Sequence, residues 1–240
     1  MVNIFYPKIE TLFVRDLESH KILTDTFKSP VYSIISSWLI TEKIDGMNIR
    51  IMWDGTKLLF GGRTDKASIP AELVNYLNAS CDIEKFKLVF PDTIAILYGE
   101  GYGAGIQKNG GAYSKTKSFV AFDILIDGKW WMDWKNTVDI CDKLGLLTVP
   151  FMGSKTLHDA MQIVREGFDS LLALTMTGEK RPAEGIVGRT IEPLFDRRGR
   201  RIILKLKTHD FGKEKFGKEK NDSLEEKAIA SILKRANKLE

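Results

Sequence analysis

Short runs of apolar, or of alternating apolar and polar, side chains recur along the chain and predict β-strands. The runs cover residues 38–41, 47–53, 57–60, 93–98, 118–126, 129–131, 184–190 and 201–207. Asp54-Gly55 and Asp127-Gly128 each separate two neighbouring runs, and Asp-Gly favours the two-residue turn of a β-hairpin. The pattern therefore predicts hairpins of antiparallel strands.

Three segments between these strands are predicted to be helices. They cover residues 70–79, 133–144 and 156–167. Pro70 suits a first helical turn, Gly145 suits a C-terminal cap, and Thr156 with Asp159 is a variant of the N-terminal capping box. Helices interspersed with hairpins indicate an α+β fold with mainly antiparallel sheets. We expect residues 1–37 to form a lead-in of mixed helical and extended pieces.

The length and composition suit one large domain with a short appendage. The chain has 240 residues and a hydrophobic content of 43%, which is enough for a real core. It changes character after His209, where Phe-Gly-Lys-Glu-Lys occurs twice in succession. Ser223 to Glu226 then forms a capping box that predicts a charged helix ending near Lys238. We expect a main domain over residues 1–208 and a charged tail over residues 209–240.

Features of secreted and membrane proteins are absent from the sequence. The first residues lack a basic region followed by an apolar run, so no secretory signal is predicted. No apolar stretch is long enough to span a bilayer. Cys81 and Cys141 lie far apart without metal-type spacing, which favours reduced thiols. We therefore expect a cytoplasmic protein with no membrane partner.

The formal net charge is only +4, but the positive charges are unevenly distributed. One late segment, which we call the basic segment, has many basic residues and few acids. Its basic residues are Arg181, Arg189, Arg197, Arg198, Arg200, Arg201, Lys205 and Lys207. Such a cluster suits a phosphate-rich partner, and an ordinary solvated face would have the same composition.

The stretch Thr41–Asn48 places Lys43 two residues before Asp45 and next to a predicted turn at Gly46. A free lysine has a pKa near ~10.4 and is almost fully protonated at neutral pH. A nucleophilic lysine therefore needs desolvation or neighbouring cations, which favour the neutral amine. On these residues alone, Lys43 is either such a nucleophile or an ordinary surface lysine.

Two acids lie in apolar strand contexts, where a carboxylate is costly unless it binds something. Glu100 follows a strand and precedes a Gly-rich loop at residues 101–116, and Glu184 begins a late strand. Such acids could hold Mg²⁺ together with substrate phosphates. Lys205 and Lys207 alternate with leucines, so both side chains point to one face and could neutralise a phosphate. The alternative for all four is a solvated strand end or strand face.

One further pair, Phe122-Asp123, lies inside a predicted strand. Phe122 is either a core residue or an aromatic surface that stacks on a purine base.

Taken in their order along the chain, these motifs resemble those of the covalent lysyl-nucleotidyltransferase superfamily of ligases and capping enzymes. Within that superfamily, they resemble the nick-sealing family of ATP-dependent RNA ligases. The resemblance extends from about Trp38 to Lys207. The motifs that carry it are Lys43-Ile44-Asp45-Gly46 with Asn48, Arg63, Tyr98-Gly99-Glu100, Phe122-Asp123, Glu184-Gly185-Ile186-Val187 and Lys205-Leu206-Lys207. The segment Gly103–Lys108 is also similar to a loop that follows the third motif. Each motif alone is unspecific, whereas the ordered set is specific.

The resemblance implies a fold, a reaction and cofactors. The fold would be the antiparallel-sheet nucleotidyltransferase fold of ligase adenylation domains, with flanking helices and a short helical tail in place of an OB-fold domain. The cofactors would be ATP and Mg²⁺ or Mn²⁺. Lys43 would attack ATP to form lysyl-AMP, the AMP would move to a 5′-phosphate end, and a 3′-hydroxyl would then displace it.

The resemblance also implies residue roles. Catalytic residues would be Lys43, Glu184, Lys205 and Lys207, with Glu184 serving the metal. Nucleotide contacts would come from Glu42, Asp45, Asn48, Arg63, Glu100, Phe122, Lys205 and Lys207. Among these, Glu42 would lie beside the adenine, Phe122 would stack on it, and Glu100 would contact the ribose. Asp123 would contact the nucleotide or brace its pocket.

Several alternatives stay open at this point. The partner would be RNA, or DNA or an RNA/DNA hybrid, with 5′-phosphate and 3′-hydroxyl ends, because RNA discrimination needs 2′-hydroxyl contacts that no motif displays. A minimal DNA ligase is the nearest rival, and a capping-type guanylyltransferase would prefer GTP. A non-catalytic nucleic-acid-binding module predicts a degraded motif set, whereas Lys43, Glu184 and both late lysines are present. A monomer is favoured.

Overall fold

A computed structural model describes residues 4–19, 21–108 and 110–211 of the chain. Its strands are β1 (Glu10–Thr11), β2 (Phe13–Arg15), β3 (Ile22–Phe27), β4 (Trp38–Lys43), β5 (Met47–Trp53), β6 (Leu58–Gly61), β7 (Ala95–Tyr102), β8 (Ser118–Ile126), β9 (Trp130–Trp131), β10 (Phe151–Lys155), β11 (Gly185–Arg189) and β12 (Ile203–Lys207). Its α-helices are α1 (Val31–Ile34), α2 (Ala71–Ser80), α3 (Ile83–Val89), α4 (Trp134–Leu144), α5 (Leu157–Glu166) and α6 (Leu171–Thr177).

The chain divides into two compact units, each assembled from separate segments. Within the described ranges, the first unit contains residues 4–8, 44–150 and 169–181. The second unit contains residues 9–43, 151–168 and 182–211.

The first unit is built on a five-stranded sheet in the order β6-β5-β7-β8-β9, and every neighbouring pair in it is antiparallel. One face of the sheet forms a core with α2, α3 and α4. Ile49 and Ile51 on β5 belong to this core, together with Leu77 of α2, Phe86 of α3 and Cys141 of α4. The alternating pattern of β5 explains this packing, because successive side chains of a strand point to opposite faces.

The second unit is built on a five-stranded sheet in the order β1-β12-β11-β4-β10. The pair β1–β12 is parallel and the other pairs are antiparallel. Trp38 and Ile40 of β4, Ile186 of β11 and Leu204 of β12 form its core with α5, which contributes Val164. The strands β2 and β3 pair with each other in a separate antiparallel ribbon.

The structure confirms an α+β fold with mainly antiparallel sheets. Strands β5 and β8 have the predicted bounds, and the caps of α4 and α5 are also as predicted. Asp133 and Thr156 accept hydrogen bonds from the backbone at the N-termini of these helices, and Gly145 ends α4 in a left-handed conformation. At the second predicted turn, Asp127 and Gly128 both have positive φ.

Several local predictions need correction. The β5–β6 turn is longer than two residues, since Trp53 pairs with Leu58. The Asp54 side chain stabilises this wider turn, because it accepts hydrogen bonds from the N–H groups of Thr56 and Lys57. Strand β7 continues to Tyr102 instead of ending at residue 98.

The sequence patterns also missed β10, α3 and α6. The predicted tail helix and the repeat that precedes it lie outside the described residues, apart from Phe211. No helix in the described ranges combines the length and the apolar character that crossing a membrane requires.

Candidate functional site

Lys43, Glu184 and Lys207 form one ion-pair cluster in the second unit. The Nζ atom of Lys43 lies 2.5 Å from Oε2 of Glu184, and the Nζ atom of Lys207 lies 2.7 Å from Oε1 of the same carboxylate. The three side chains are 21%, 13% and 28% exposed for Lys43, Glu184 and Lys207. The cluster is therefore largely shielded from water while its atoms stay accessible to a ligand.

Backbone register explains why these residues meet. Gly185 on β11 is opposite Lys43 on β4 and opposite Lys207 on β12. Glu184 directly precedes this position, so its carboxylate lies between the two lysines. Local sequence patterns do not reveal this contact, because Lys43 and Glu184 are 141 positions apart in the sequence.

Gly185 permits the close approach of the strands at this point. A Cβ atom at Gly185 would lie 2.0 Å from the carbonyl oxygen of Leu206, which is shorter than any tolerable contact. The glycine after Glu184 is therefore required by the pairing of β11 with β12.

The second unit also contains Lys205 and Glu42. Lys205 is opposite Val187 on β11 and lies on the same side of β12 as Lys207. Glu42 is only 1% exposed and is opposite Ile186, a core residue. Because side chains alternate along a strand, Glu42 lies on the face of the sheet opposite Lys43.

The other predicted site residues belong to the first unit. Asn48 on β5 and Glu100 on β7 are directly opposite each other, so their side chains share one face of the sheet. The Asn48 Oδ1 atom is buried and has no hydrogen-bond partner among the described residues. A buried polar atom without a partner is unfavourable in the free protein and is suited to a ligand donor.

The loop after β7 is fastened to the turn that contains Asp45 and Gly46. The backbone N–H of Asp45 donates to the Tyr113 hydroxyl at 3.3 Å, and the side-chain amide of Gln107 donates to the Gly46 carbonyl at 3.1 Å. Gly46 also packs tightly, because a Cβ atom there would lie 2.2 Å from the Gly101 carbonyl oxygen. The Gly-rich loop thus holds the backbone of Asp45 and Gly46, in the second half of the lysine motif.

Phe122 and Asp123 are both held by Tyr6. The Tyr6 hydroxyl donates to Asp123 Oδ2 at 2.7 Å, and the Tyr6 and Phe122 rings meet edge to face at 5.0 Å between centroids. Phe122 is partly exposed, whereas its neighbours along the strand are buried. Its aromatic surface is thus available on one side and braced on the other. Sequence patterns missed Tyr6, since nothing local distinguishes it from other aromatic residues.

Arg63 is exposed and lies in the loop that follows β6. Arg50 holds this loop, because its Nε donates to the Gly62 carbonyl at 2.8 Å and its guanidinium is 3.0 Å from Asp65. Arg50 is 1% exposed and stacks over the Phe5 ring at 4.7 Å. Arg50 occupies a polar position in the alternating sequence of β5, and that pattern does not indicate that the residue is buried.

The predicted residues therefore divide between the two units. The second unit holds Glu42, Lys43, Glu184, Lys205 and Lys207, and the first holds Asp45, Asn48, Arg63, Glu100 and Phe122. The basic segment is also divided, because Arg181 belongs to the first unit and its other members belong to the second.

Glu184 is the candidate ligand for a metal ion in the Lys43–Glu184–Lys207 cluster. Within residues 4–19, 21–108 and 110–211, no group of three or more His, Cys, Asp or Glu side chains is arranged to hold a metal. Mg²⁺ commonly binds through one or two carboxylates, waters and substrate phosphates. A single carboxylate such as Glu184, next to Lys43 and Lys207, fits this mode of binding.

Comparison with known proteins supports one family. The profile of the RNA ligase family matches residues 36–207. No curated protein sequence is similar to the chain.

Solved structures of Naegleria gruberi RNA ligase are similar to this chain in fold. An apo variant aligns with a TM-score of 0.60 and 18% identity, over 88% of this chain and 64% of that one. A variant with ATP and Mn aligns with a TM-score of 0.59 and 18% identity, over 76% of this chain and 52% of that one. The protein with PPi aligns with a TM-score of 0.58 and 19% identity, over 84% of this chain and 61% of that one. This chain thus spans between about half and two thirds of the length of these structures.

Proposed function

Because this chain belongs to the RNA ligase family, we propose that it joins the 3′-hydroxyl and 5′-phosphate ends of RNA at the expense of ATP. The observation that carries the proposal is the cluster of Lys43, Glu184 and Lys207, with its N–O distances of 2.5 and 2.7 Å. This arrangement is suited to covalent nucleotide transfer, because Lys43 can act as the nucleophile while Lys207 neutralises the anionic phosphate.

The first step is attack of the Lys43 amine on the α-phosphorus of ATP. An N–P bond forms, the bond between the α-phosphorus and its bridging oxygen breaks, and pyrophosphate leaves with the electron pair. Lys43 gives up one ammonium proton to solvent before attack, which ends its ion pair with Glu184, and a second proton passes to solvent as the N–P bond forms. Lys205 and Lys207 lie on one side of β12 and neutralise the phosphates as charge develops.

The second and third steps transfer the AMP and seal the strand. An oxygen of the RNA 5′-phosphate attacks the lysyl-AMP phosphorus, which forms a 5′-adenylated end and returns the electron pair to Lys43. The 3′-hydroxyl then attacks the 5′-phosphate, forms the phosphodiester bond and releases AMP. Alignment of these ends and charge neutralisation provide most of the catalysis.

The adenosine contacts are proposed on the basis of the resemblance between the motifs. Phe122 stacks on the adenine, with Tyr6 bracing its other edge. Glu100 contacts the ribose and Arg63 contacts the nucleotide and the nucleic-acid end. Asn48 contacts a phosphate through its Nδ2 donor, and Asp45 lies two residues after Lys43 in the turn that Tyr113 and Gln107 hold. Glu42 faces away from Lys43 on its strand, so its place beside the adenine rests on the resemblance alone.

Glu184 is the residue proposed to hold Mg²⁺ or Mn²⁺, which would neutralise charge on the transferred phosphate when bound. Structures of Naegleria gruberi RNA ligase with ATP and Mn support this choice of cofactors. The proposed catalytic part is the nucleotidyltransferase domain over residues 1–208, which is followed by a charged tail over residues 209–240. We propose a monomer in the cytoplasm.

A labelling assay tests the proposal. Purified protein is incubated with Mg²⁺ and ATP labelled at the α-phosphate, and the acid-stable adduct is measured. We expect an adduct with ATP, little with GTP, and none with Lys43→Ala. An adduct with GTP instead would favour a capping-type enzyme, and the lack of any adduct would favour a non-catalytic binding module.

A sealing assay then identifies the polynucleotide. Matched nicks are built from RNA, DNA and hybrids, and single-stranded RNA ends are included. We expect sealing of RNA ends to be fastest. Sealing that is faster on an all-DNA nick would contradict the RNA assignment and favour a minimal DNA ligase.

A further inference from the structure

The segment that joins β11 to β12 is a structured arm with an unusual surface. Its apolar side chains are exposed, at 55% for Ile191, 47% for Leu194 and 48% for Phe195. Arg197, Arg198 and Arg200 follow and are exposed too. We call residues 191–201 the arginine arm. It holds four arginines and two acids, Glu192 and Asp196, which leaves a net charge of +2.

Backbone pairing holds the arginine arm in one shape. Phe195 and Arg201 form an antiparallel bridge, and Ile202 N–H donates to the Leu194 carbonyl at 2.8 Å. The turn closes with Gly199 N–H donating to the Asp196 carbonyl at 2.9 Å, where Gly199 has φ +71°. The arm is therefore an extension of the β11–β12 hairpin.

Both oxygens of the Asp196 carboxylate accept hydrogen bonds within the turn. Oδ1 accepts from the N–H groups of Arg198 and Arg200 at 2.8 and 2.9 Å, and Oδ2 accepts from Arg200 Nε at 2.9 Å. The pKa of Asp196 lies below its usual range, chiefly because of the backbone donor of Arg200. Arg197 and Arg198 are therefore displayed beside an acid that is already bound.

An exposed aromatic ring beside displayed arginines fits one kind of partner. Bases stack on an aromatic face regardless of sequence, and arginines neutralise the phosphates between them. An apolar protein partner would match Leu194 and Phe195, and an acidic one would match the arginines. Unpaired RNA matches both features, because its bases can stack on Phe195 while its phosphates contact the neighbouring arginines.

The position of the arginine arm sets which part of the RNA it reaches. Gly185 pairs with Lys207 at one end of the β11–β12 ladder, and Arg189 pairs with Ile203 at the other. The arm continues from that second end, away from the Lys43–Glu184–Lys207 cluster. Arg200, where the turn begins, is seven positions from Lys207 in the sequence, so at about 3.3 Å per residue the turn lies roughly 23 Å along the hairpin from Lys207. That length corresponds to roughly seven nucleotides of a helically stacked strand.

We propose that the arginine arm binds the unpaired strand of the RNA substrate several nucleotides away from its reacting end, with Phe195 as the stacking surface and Arg197 and Arg198 as phosphate contacts. This inference rests on the proposed function for the choice of RNA, and it adds a binding surface that the family motifs do not include.

The length of the RNA provides the test. Binding of 5′-phosphorylated single-stranded RNA is measured by fluorescence anisotropy for an oligonucleotide of roughly 4 nucleotides and one of roughly 20, because only the longer one reaches the arm. We expect Phe195→Ala to weaken binding of the longer RNA about 5-fold or more and to leave the shorter RNA unchanged. Phe195→Tyr keeps the aromatic ring and should bind like the wild type.

The arginines are tested by salt dependence. The double change Arg197→Ser and Arg198→Ser should reduce the slope of log affinity against log salt by about 1.4 for the longer RNA, at about 0.7 per contact for a single strand. Trp130→Ala, which removes an exposed aromatic ring (65% exposed) from the first unit, is the matched control and should change neither measurement.

The two proposals fail in different ways. If the wild type forms no lysyl-AMP adduct, the proposed function fails. If it forms the adduct and Phe195→Ala still binds both RNA lengths like the wild type, the arginine arm is not the RNA surface. All arm variants should form the adduct at the wild-type rate, because the arm contains none of the proposed catalytic residues, and a slower adduct would contradict its assignment to RNA binding.

Discussion

Lys43 Nζ lies 2.5 Å from Glu184 Oε2 in the second unit of the protein. The pairing follows from the register of β4 with β11. An ammonium group in such an ion pair has no lone pair with which to attack phosphorus. The free protein therefore holds its proposed nucleophile in a protected form, and ATP phosphates must compete with Glu184 for the two lysines.

Replacing Glu184 with glutamine should affect both stability and chemistry. Glu184→Gln keeps the size of the side chain and removes the charge that both lysines contact, so unfolding free energy should fall by about 1–2 kcal/mol. Urea denaturation measures this loss. Adduct formation should slow by about 10²-fold and need more Mg²⁺ for half of its maximal rate. An unchanged Mg²⁺ requirement would contradict the role of Glu184 at the metal.

Replacing Lys43 should block one chemical step and spare another. Lys43→Ala removes the proposed nucleophile, so joining of ordinary 5′-phosphate ends should fall by at least about 10³-fold. The same variant should still seal RNA that carries a chemically prepared 5′-adenylate, because that end has already passed the lysine step. Loss of both activities in a folded variant would mean that Lys43 acts in another way.

The hydroxyl of Tyr6 should stabilise the protein. Tyr6→Phe keeps the ring against Phe122 and removes the 2.7 Å hydrogen bond to Asp123, which is fully buried. We expect a loss of about 1–3 kcal/mol in unfolding free energy, since a buried carboxylate loses a donor. Thermal unfolding measures it, and ATP affinity should fall while the rate at saturating ATP changes little. Tyr76 is partly buried and its ring packs against the core of the first unit, so Tyr76→Phe, which keeps that ring, is the control.

The glycine after Glu184 should tolerate no side chain. Gly185→Ala places a Cβ atom 2.0 Å from the Leu206 carbonyl oxygen, so it should lower unfolding free energy by at least about 3 kcal/mol. Gly178→Ala is the comparison, because Gly178 has φ +73° and no atom within 4 Å of the added Cβ. It should lose only about 1–2 kcal/mol. Equal losses in the two variants would argue against a steric clash at Gly185.

The two cysteines should be unreactive in the folded protein. Burial raises the pKa of Cys81 and of Cys141 to about 12, and the thiolate is the reactive form. A thiol reagent at pH 8 should therefore label neither cysteine quickly in native protein and both in urea. Because the pKa values are raised, native labelling should become faster as the pH rises toward 12. Fast native labelling at pH 8 would contradict the burial of these side chains.

The sequence by itself determined the local elements and the chemical inventory. Period-two alternation defined β5 and an apolar run defined β8, and Asp133, Gly145 and Thr156 marked helix ends, because these signals depend on neighbours along the chain. The ordered motifs from Lys43 to Lys207 indicated the RNA ligase family, which the family profile confirmed. The family can be identified from the types and order of the motif residues, without knowledge of the distances between them.

Only the tertiary structure decided which residues meet. The contact of Lys43 with Glu184 depends on pairing between strands that are far apart in sequence. The bracing of Phe122 by Tyr6 and of the Arg63 loop by Arg50 depends on packing across a sheet. Local patterns carry no information about such pairings, because cross-strand register and core packing arise from the balance of interactions over the whole fold.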